Sequence, residues 1–338
     1  MIHLIRASHA NEYELQNYSP IAKKHKIQVI TSHHPLTKTS IPQIQLWSPT
    51  DLPNFPYRRQ IFNRLFGGEQ WLIGLNNIVK YGDIIHTAET YTPYTHQAVE
   101  LKKRGVIKKL ICTCWETIPN NNEKLARLRH WKQEAYQYVD LFHTPTQRAK
   151  QALITEGVPS SKIKVIPYGV DLSRFTPGYK GSTLTKRKPL VLTLARRVPE
   201  KGLSIFAQLQ KDFADRADFR WVSDAPYEQV PQLLCHADIF LLASSPTPTW
   251  EEQYGMVLVE AMATGLPIIT TSCGAIPEIV GDTALLAPPN DYASIATHLN
   301  HLLTIPPLAP TLSHAAQKRA KTRYDRDKIA SKLINLYY

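Results

Sequence analysis

The chain of 338 residues is poor in the features that mark membrane, secreted or zinc-binding proteins. No apolar run approaches the roughly 20 residues that a helix needs to cross a bilayer, and the amino terminus has no signal-peptide pattern. The cysteines are few, and their spacing fits neither a zinc site nor a disulfide framework: they are Cys112, Cys114, Cys235 and Cys273. We therefore expect a cytoplasmic protein with reduced thiols.

Anionic residues are also in the minority, with 28 Asp and Glu against 40 Lys and Arg, and most of the excess lies in residues 1–165. This predicts an anionic partner for that half: a membrane surface, an acidic acceptor or nucleic acid. Residues 57–66 mix arginines with aromatic and aliphatic side chains, as in segments that lie on the inner face of a membrane. An ordinary surface helix with one stripe facing the core is the favoured alternative.

Length and pattern predict two α/β domains, because 338 residues exceed the usual size of a single core. Apolar segments alternate with helical ones, which favours parallel sheets with helices on both faces. Strands are predicted at 2–6, 27–31, 83–86, 110–114, 141–144, 190–195, 219–223, 238–243, 267–271 and 283–286, and helices at 14–25, 94–104, 122–138, 203–213, 227–235, 256–264 and 292–303. The predicted domains are 1–172 and 173–323, with a linker at 180–188 and a last helix, 324–338, that packs back on the first domain.

Residues 250–265 are the most informative stretch. Glu252 precedes a helix opened by Gly255, and Glu260 lies within its apolar second turn, about 7 Å further along the axis at ~1.5 Å per residue. The amino end of a helix offers free N–H groups and a positive dipole to a phosphate. The spacing therefore suits a nucleotide sugar, whose sugar, diphosphate and ribose follow in a row. Capping and surface roles for the two glutamates are the alternative, although burying an unpaired Glu260 is costly.

The loop 195–202 follows the first strand of the second domain. It has neither the Gly-x-Gly-x-x-Gly of dinucleotide-binding folds nor the P-loop pattern, which disfavours hydride transfer and NTP hydrolysis. It offers Arg196, which can grip a phosphate with two hydrogen bonds, and Lys201, a point charge. Together they can stabilise a departing diphosphate without a metal, although a solvated surface loop is the alternative.

Four blocks resemble the retaining glycosyltransferases of family 4, which have the GT-B fold of two Rossmann-like domains facing across a cleft. The blocks are 165–175, 196–202, 252–267 with its Glu-x7-Glu element, and 274–280. The terminal 324–338 is similar to the closing helix of that family. The resemblance implies a hexosyltransferase-type enzyme of class EC 2.4 that takes a sugar from a nucleotide-diphosphate donor and needs no metal or cofactor.

The resemblance also implies roles for residues of the second domain. Arg196 and Lys201 would hold the diphosphate, Glu252 would contact the transferred sugar, and Glu260 would bind the ribose hydroxyls. Main-chain N–H groups would reach the sugar and the distal phosphate from a further set: Tyr254, Gly255, Met256 and Val257. The acceptor, a carbohydrate, a lipid-linked sugar or a small molecule, would bind the basic first domain.

The first domain departs from the family pattern. The expected glycine pair after the first strand is replaced by residues 7–12, and Trp115 stands where a histidine is expected. Glu116 and His86 are the candidates to compensate, although structural roles for both are more common. The stretch from Gly202 to Asp238 is also short by about one strand–helix unit, which obscures the base preference.

Two other functions remain open. One keeps the fold but makes the protein a nucleotide-sugar epimerase or phosphorylase. The other is a non-catalytic protein that binds an anion, with nucleic acid an unlikely partner. The complete set of Arg196, Lys201, Glu252 and Glu260 favours the transferase.

Overall fold

The computed structural model describes residues 1–176 and 187–338, which form two compact α/β units. The first unit contains Met1–Pro167 and Asp327–Tyr338, and the second contains Tyr168–Arg326. The domain boundaries predicted from the sequence lie after residues 172 and 323. The predicted linker at 180–188 lies outside the described residues, except for its last two positions.

The first unit has a parallel sheet in the order β3-β2-β1-β4-β5-β6-β7. Its strands are β1 (Ile2–Ala7), β2 (Ile27–Thr31), β3 (Gln43–Gln45), β4 (Ile84–Ala88), β5 (Lys109–Thr113), β6 (Leu141–Thr144) and β7 (Ile163–Val165). Its helices are α1 (Glu12–Leu15), α2 (Ser19–Ala22), α3 (Arg58–Phe66), α4 (Leu75–Ile78), α5 (Pro93–Lys103), α6 (Ala126–Tyr138) and α7 (Gln147–Thr155). The apolar residues of β1, β4, β5 and β6 are almost all buried, which explains why these strands read as continuous apolar runs.

The helix predicted at 14–25 is wrong as a single element. The chain forms α1, a 3-10 turn at Gln16–Tyr18, and then α2, with Pro20 in the first turn of α2. Proline has no N–H to donate to the preceding turn, so an α-helix cannot continue through it, whereas a new helix can begin there.

The second unit has a smaller parallel sheet in the order β12-β11-β10-β8-β9. Its strands are β8 (Leu190–Leu194), β9 (Asp218–Val222), β10 (Ile239–Leu242), β11 (Ile268–Thr271) and β12 (Leu285–Ala287). Its helices are α8 (Leu203–Asp212), α9 (Val230–His236), α10 (Met256–Thr264), α11 (Ile276–Val280), α12 (Tyr292–Thr304) and α13 (Leu308–Arg323). The last helix of the chain, α14 (Arg326–Leu333), belongs to the first unit from Asp327 onwards.

Each sheet reverses its strand order at one place, between β1 and β4 in the first unit and between β8 and β10 in the second. In open α/β sheets, ligands bind outside the carboxyl ends of the strands at such a switch point. The loops after β1, β4, β8 and β10 are therefore where functional side chains are expected.

In the described part of the chain, no helix is both long and apolar enough to span a bilayer. Helix α3 is nevertheless apolar on two sides. Phe62 is buried, whereas Ile61 and Leu65 are exposed, and their spacing of four residues places these two on one face of the helix. Together with the exposed Tyr57, which precedes the helix with φ 62°, they make up the outward stripe. The side chain of the helix that faces the core is Phe62.

Candidate functional site

The loop after β8 carries the two cations singled out in the sequence. Arg196 is exposed, and its guanidinium makes no hydrogen bond or ion pair with any described residue. Lys201 ends the 3-10 turn Pro199–Lys201, and Gly202 follows with φ +82°. A Cβ at Gly202 would lie 2.3 Å from the carbonyl oxygen of Ala243. Glycine therefore lets this loop lie directly against the end of β10.

An ion pair between Lys201 and Glu252 lies at the switch point of the second unit. The Lys201 Nζ is 2.6 Å from Oε2 of Glu252, and the Ser244 hydroxyl donates to the same oxygen at 3.0 Å. The two charged side chains are only 13% and 11% exposed, so the pair is largely removed from water. The ammonium also lies 4.6 Å from the ring centroid of Trp250, a favourable cation–π distance. The fold thus joins two blocks of the sequence that the motifs had identified separately.

A third block supports the backbone of Glu252. The carbonyl oxygen of Glu252 accepts a hydrogen bond from the Ala275 N–H at 2.8 Å. Gly274 has φ +57°, and a Cβ there would lie 2.3 Å from that same oxygen. The glycine that opens the block 274–280 therefore permits the close approach that fixes Glu252.

The amino end of α10 carries the predicted main-chain donors. Gly255 precedes the helix with φ 79°, and no side chain caps it. The first turn, which contains Met256 and Val257, has N–H groups without intrahelical acceptors and lies at the positive end of the dipole. The Tyr254 side chain is buried, and its hydroxyl donates to the carbonyl oxygen of Tyr168. Burial also raises the pKa of that hydroxyl well above its usual range, so the Tyr254 side chain has a structural role.

Glu260 lies inside the second unit on α10 and is 4% exposed. Burial raises the pKa of Glu260 to about 8, although a hydrogen bond from Tyr227 and the charge of Arg174 lower it. Arg174 lies 4.7 Å from the ring centroid of Tyr227 and donates to the carbonyl oxygen of Tyr227 at 3.3 Å. At neutral pH this carboxyl group is mostly protonated, so it can both donate and accept hydrogen bonds.

His86 of the first unit belongs to a buried chain of hydrogen bonds. Its Nδ1 is 2.8 Å from the Tyr337 hydroxyl and its Nε2 is 2.7 Å from the Thr113 hydroxyl. The Thr113 hydroxyl is in turn 3.0 Å from Nδ1 of His143, whose Nε2 is 2.7 Å from the carbonyl oxygen of Ile166. Burial lowers the pKa of His86 well below its usual range and that of His143 to about 4, so both rings are neutral. Both nitrogens of His86 are used, which favours a structural role over the site role expected from the sequence.

Glu116, the other candidate of the first unit, organises the loop after β5. Its Oε1 accepts from the main-chain N–H groups of Thr117 and Ile118, at 2.9 and 3.0 Å. Its Oε2 accepts from the side-chain amides of Asn121 and Asn122, at 2.8 and 3.1 Å. The carboxylate therefore accepts four hydrogen bonds from its own loop, and its role in this structure is to hold that loop together.

Sequence reasoning missed several residues of these sites. Ser244 was overlooked because its hydrogen bond to Glu252 depends on the order of the strands. Tyr227 and Arg174 were overlooked because each lies far from Glu260 in the sequence. Glu89 was missed as well, and it follows β4 directly. The available signal was its position, since a polar residue just after a buried parallel strand lies at the ligand-binding edge of the sheet.

One group of possible metal ligands occurs among the described residues: His96, Glu100 and Glu134, on α5 and α6. The Lys103 ammonium lies 2.8 Å from Oε1 of Glu100 and also bonds Oε1 of Glu134. A cation of the protein itself therefore bonds both carboxylates.

Comparisons with known proteins agree with the two-unit architecture. The Glycosyltransferase Family 4 model matches residues 21–174, and the glycosyl transferases group 1 model matches residues 185–304. The sulfoquinovosyl transferase SQD2 of Arabidopsis thaliana is 25% identical over 234 residues, which are 59% of this chain and 44% of that protein. The putative colanic acid biosynthesis glycosyltransferase WcaL of Escherichia coli K12 is 26% identical over 257 residues, 65% of this chain and 62% of that protein. The chain thus spans less than two thirds of the length of these relatives.

A similar solved structure is that of Anabaena Alr3699/HepE in complex with UDP-glucose. It has a TM-score of 0.74 and 17% identity, with 99% of this chain and 98% of that chain covered. The likeness confirms the predicted GT-B fold of two parallel-sheet α/β domains. At this identity, it shows the fold alone.

Proposed function

We propose that the protein is a retaining glycosyltransferase that moves a sugar from a nucleotide-diphosphate donor to a hydroxyl-bearing acceptor without a metal. The observation that carries the proposal is the largely desolvated pair of Lys201 and Glu252 on the same unit as the uncapped amino end of α10. Both family models that match the chain describe glycosyltransferases, which favours this reaction over epimerase, phosphorylase and non-catalytic functions.

The diphosphate would be held by positive charge supplied in advance. Arg196 is an exposed cation that no described residue neutralises, and Lys201 is a partly neutralised one. The N–H groups of Met256 and Val257 add partial positive charge from the helix end. As the bond between the anomeric carbon and the diphosphate breaks, negative charge grows on the leaving oxygen, and these groups stabilise it. The bond to the acceptor oxygen forms on the same face of the sugar, and the proton of the acceptor hydroxyl passes to the departing diphosphate oxygen.

The two glutamates would bind the other parts of the donor. Glu252 is oriented by Lys201 and Ser244, and its carboxyl oxygens can accept hydrogen bonds from hydroxyls of the transferred sugar. Glu260 has a pKa of about 8 because it is buried, so at neutral pH it both donates to and accepts from the ribose hydroxyls.

Nucleotide release tests this proposal. The wild-type protein should release UDP, GDP or ADP from one of the corresponding glucose donors, and the matching nucleotide should raise its melting temperature. Lys201→Ala and Glu260→Ala should abolish release, whereas Lys211→Ala, on the exposed face of α8, should not. Wild-type release in both site variants would refute the assignment. NMR of the product should show the anomeric configuration of the donor, and EDTA should leave the rate unchanged.

We further propose that α3 brings the protein to an anionic membrane surface. The outward stripe combines Tyr57, Ile61 and Leu65, exposed by 74%, 43% and 65%, with the exposed cations Arg59 and Arg64. An apolar stripe flanked by cations fits a bilayer of acidic lipids. Vesicles of phosphatidylglycerol should sediment the protein, and Leu65→Glu should prevent this. Equal binding to phosphatidylcholine vesicles would contradict the electrostatic part of the proposal.

A further inference from the structure

Glu89 stands at the carboxyl end of β4, beside the switch point of the first unit. Its φ angle is +61°, in the left-handed region that residues other than glycine rarely adopt. Hydrogen bonds of the Glu89 main chain to neighbouring residues stabilise this strained conformation. The Glu89 N–H donates to the carbonyl oxygen of Thr113 at 2.8 Å, and its carbonyl oxygen accepts from the hydroxyls of Thr92 and Thr95 at 3.3 and 2.8 Å. Strained residues of this kind cluster at functional sites.

The Glu89 side chain lines a small pocket at the ends of β4 and β5. The pocket is formed by Glu89, Thr90, Tyr91, Cys114, Glu116, Lys132, Leu153 and Glu156, and measures about 250 Å³ including the space open to solvent. Only about 10 Å³ of that space can hold the centre of a water molecule, which is room for about one water-sized group. The pocket therefore fits a single hydroxyl, or the end of a hydroxymethyl group, of a larger molecule.

The other charged groups of the pocket are already engaged. Lys132 bonds Glu156 at 2.7 Å and Glu123 at 2.9 Å, and four donors occupy Glu116. Tyr136 donates to the second oxygen of Glu156 at 2.6 Å. Glu89, by contrast, has no cation within salt-bridge distance among the described residues.

The carboxyl group of Glu89 is arranged to act as a donor. Its Oε1 accepts from the Trp115 N–H at 2.8 Å, which leaves Oε2 for an added proton, and the carboxyl group also has a hydrogen bond from the Glu116 main chain. Burial raises the pKa of Glu89 to about 8, and the charges of Glu116 and Glu156 raise it further against the main-chain hydrogen bonds that lower it. Burial likewise raises the pKa of the Tyr91 and Cys114 side chains well above their usual range, so both stay neutral, while Lys132 stays charged. At neutral pH the pocket thus contains one carboxylic acid with an O–H to offer.

We propose that Glu89 binds the acceptor by donating a hydrogen bond from Oε2 to an oxygen of one acceptor hydroxyl or hydroxymethyl group. The inference rests on the proposed glycosyltransferase function. It specifies a neutral, hydroxylated acceptor, since an ammonium group would require the ionised carboxylate. Trp115, which replaces the histidine expected in this loop, contributes its main-chain N–H to orient the acid.

The test compares wild type with Glu89→Ala and Glu89→Gln, and uses Glu100→Gln as a control that changes a carboxylate elsewhere in the same unit. The probes are the methyl α-glycosides of glucose, galactose and mannose, with binding measured by saturation-transfer NMR in the presence of UDP. In E89Q the amide keeps both an acceptor for the Trp115 N–H and a donor for the probe. We expect E89A to bind a probe at least tenfold more weakly than wild type, and E89Q and E100Q to bind it nearly as well.

The dependence on pH separates a donor from a merely structural residue. Between pH 6 and pH 9 the wild type should lose affinity for the probe as Glu89 ionises, and E89Q should not. Binding that is no tighter in wild type than in E89A for any of the three glycosides would overturn the proposal. Affinity that increases with pH in wild type would overturn it too, because it would make the carboxylate the binding form. Failure of the proposed function is distinct, since it appears as a lack of protection by nucleotide and of nucleotide release in the wild type itself.

Discussion

Arg196 and Lys201 belong to one loop but have different surroundings. Arg196 is exposed and has no polar partner among the described residues, whereas Lys201 is mostly buried and paired with Glu252. Removal of a desolvated charge leaves its partner uncompensated, which costs stability, and removal of an exposed unpaired charge does not. If both cations bind the diphosphate, their effects on activity should be alike while their effects on stability differ.

Arg196→Ala and Lys201→Ala should therefore each lower nucleotide release by about a hundredfold or more, as expected for charges that stabilise a leaving group. Only K201A should also lower the free energy of unfolding, by up to about 3 kcal/mol, because Glu252 retains Ser244 alone. Urea denaturation measures this difference. Equal stability of the two variants would show that the ion pair contributes little to the free energy of unfolding. Combining K201A with Glu252→Ala should restore part of the stability that K201A loses.

Glu260 should make stability depend on pH. Its pKa rises from 4.5 to about 8 on folding, so the folded state binds the proton more tightly than the unfolded state. The stabilisation that the protonated group provides is complete below pH 4.5 and is lost as pH rises toward 8, by at most about 1.4 kcal/mol per pH unit. Relative to wild type, Glu260→Gln should thus gain stability as pH is raised through this window. A pH-independent difference between the two unfolding curves would contradict the assigned shift.

At the scale of elements, the loops of the second unit meet through glycines. Gly202 and Gly274 both have positive φ angles, and each presses against the backbone of another segment. An alanine at such a position suffers the left-handed strain and a clash with backbone atoms, whereas one at an open left-handed position suffers the strain alone.

Gly274→Ala should lower stability by more than the roughly 1 kcal/mol of strain alone, because its Cβ would lie 2.3 Å from the Glu252 carbonyl oxygen. It should also abolish protection by the matching nucleotide, since Glu252 must move and its ion-pair partner Lys201, which is proposed to hold the diphosphate, must move with it. Gly105→Ala is the matched control, with φ +71° and no atom within 4 Å of the added Cβ. Melting temperatures with and without the nucleotide measure both effects. Retention of nucleotide protection in G274A would show that this glycine does not support the nucleotide site.

Most sheet strands were predictable because parallel strands buried on both faces are short apolar runs, as in β1 and β10. The edge strand β3 was missed because its residues, Gln43–Gln45, are mainly polar and partly exposed. Helix α13 was missed because a polar sequence that contains Pro310 lacks a clear apolar stripe. The local pattern of apolar residues predicts the elements that are buried. The positions of β3 and α13 depend instead on the elements that they pack against.

The candidate site divides in the same way. Arg196, Lys201, Glu252 and Glu260 stand within recognisable blocks, so sequence pointed to them. Ser244 and Glu89 stand in no block, and their contacts arise from strand order, which brings loops of distant sequence to one edge of a sheet. His86 illustrates the reverse case, since a histidine near a strand end was predicted as a site candidate, and its imidazole lies in the core with both nitrogens hydrogen-bonded.

At the scale of the whole molecule, the end of the chain rejoins the first unit. The Tyr337 hydroxyl bonds Nδ1 of His86, which begins the buried chain of hydrogen bonds, here called the relay, that continues through Thr113 and His143. The relay links the terminal segment to the three neighbouring strands β4, β5 and β6. All its groups are buried, so each hydrogen bond lost leaves an unsatisfied polar atom in the core.

Tyr337→Phe should therefore lower the free energy of unfolding by about 1–3 kcal/mol, the cost of leaving Nδ1 of His86 buried without a donor. Tyr338→Phe is the matched control, because Tyr338 is 81% exposed and its hydroxyl contacts His25 at the surface. Its effect should stay within about 0.5 kcal/mol. Urea denaturation followed by circular dichroism distinguishes the two variants. Equal losses would mean that these hydrogen bonds do not anchor the terminal segment, and the apolar contacts of Ile329, Leu333 and Leu336 would then be the better candidates for that role.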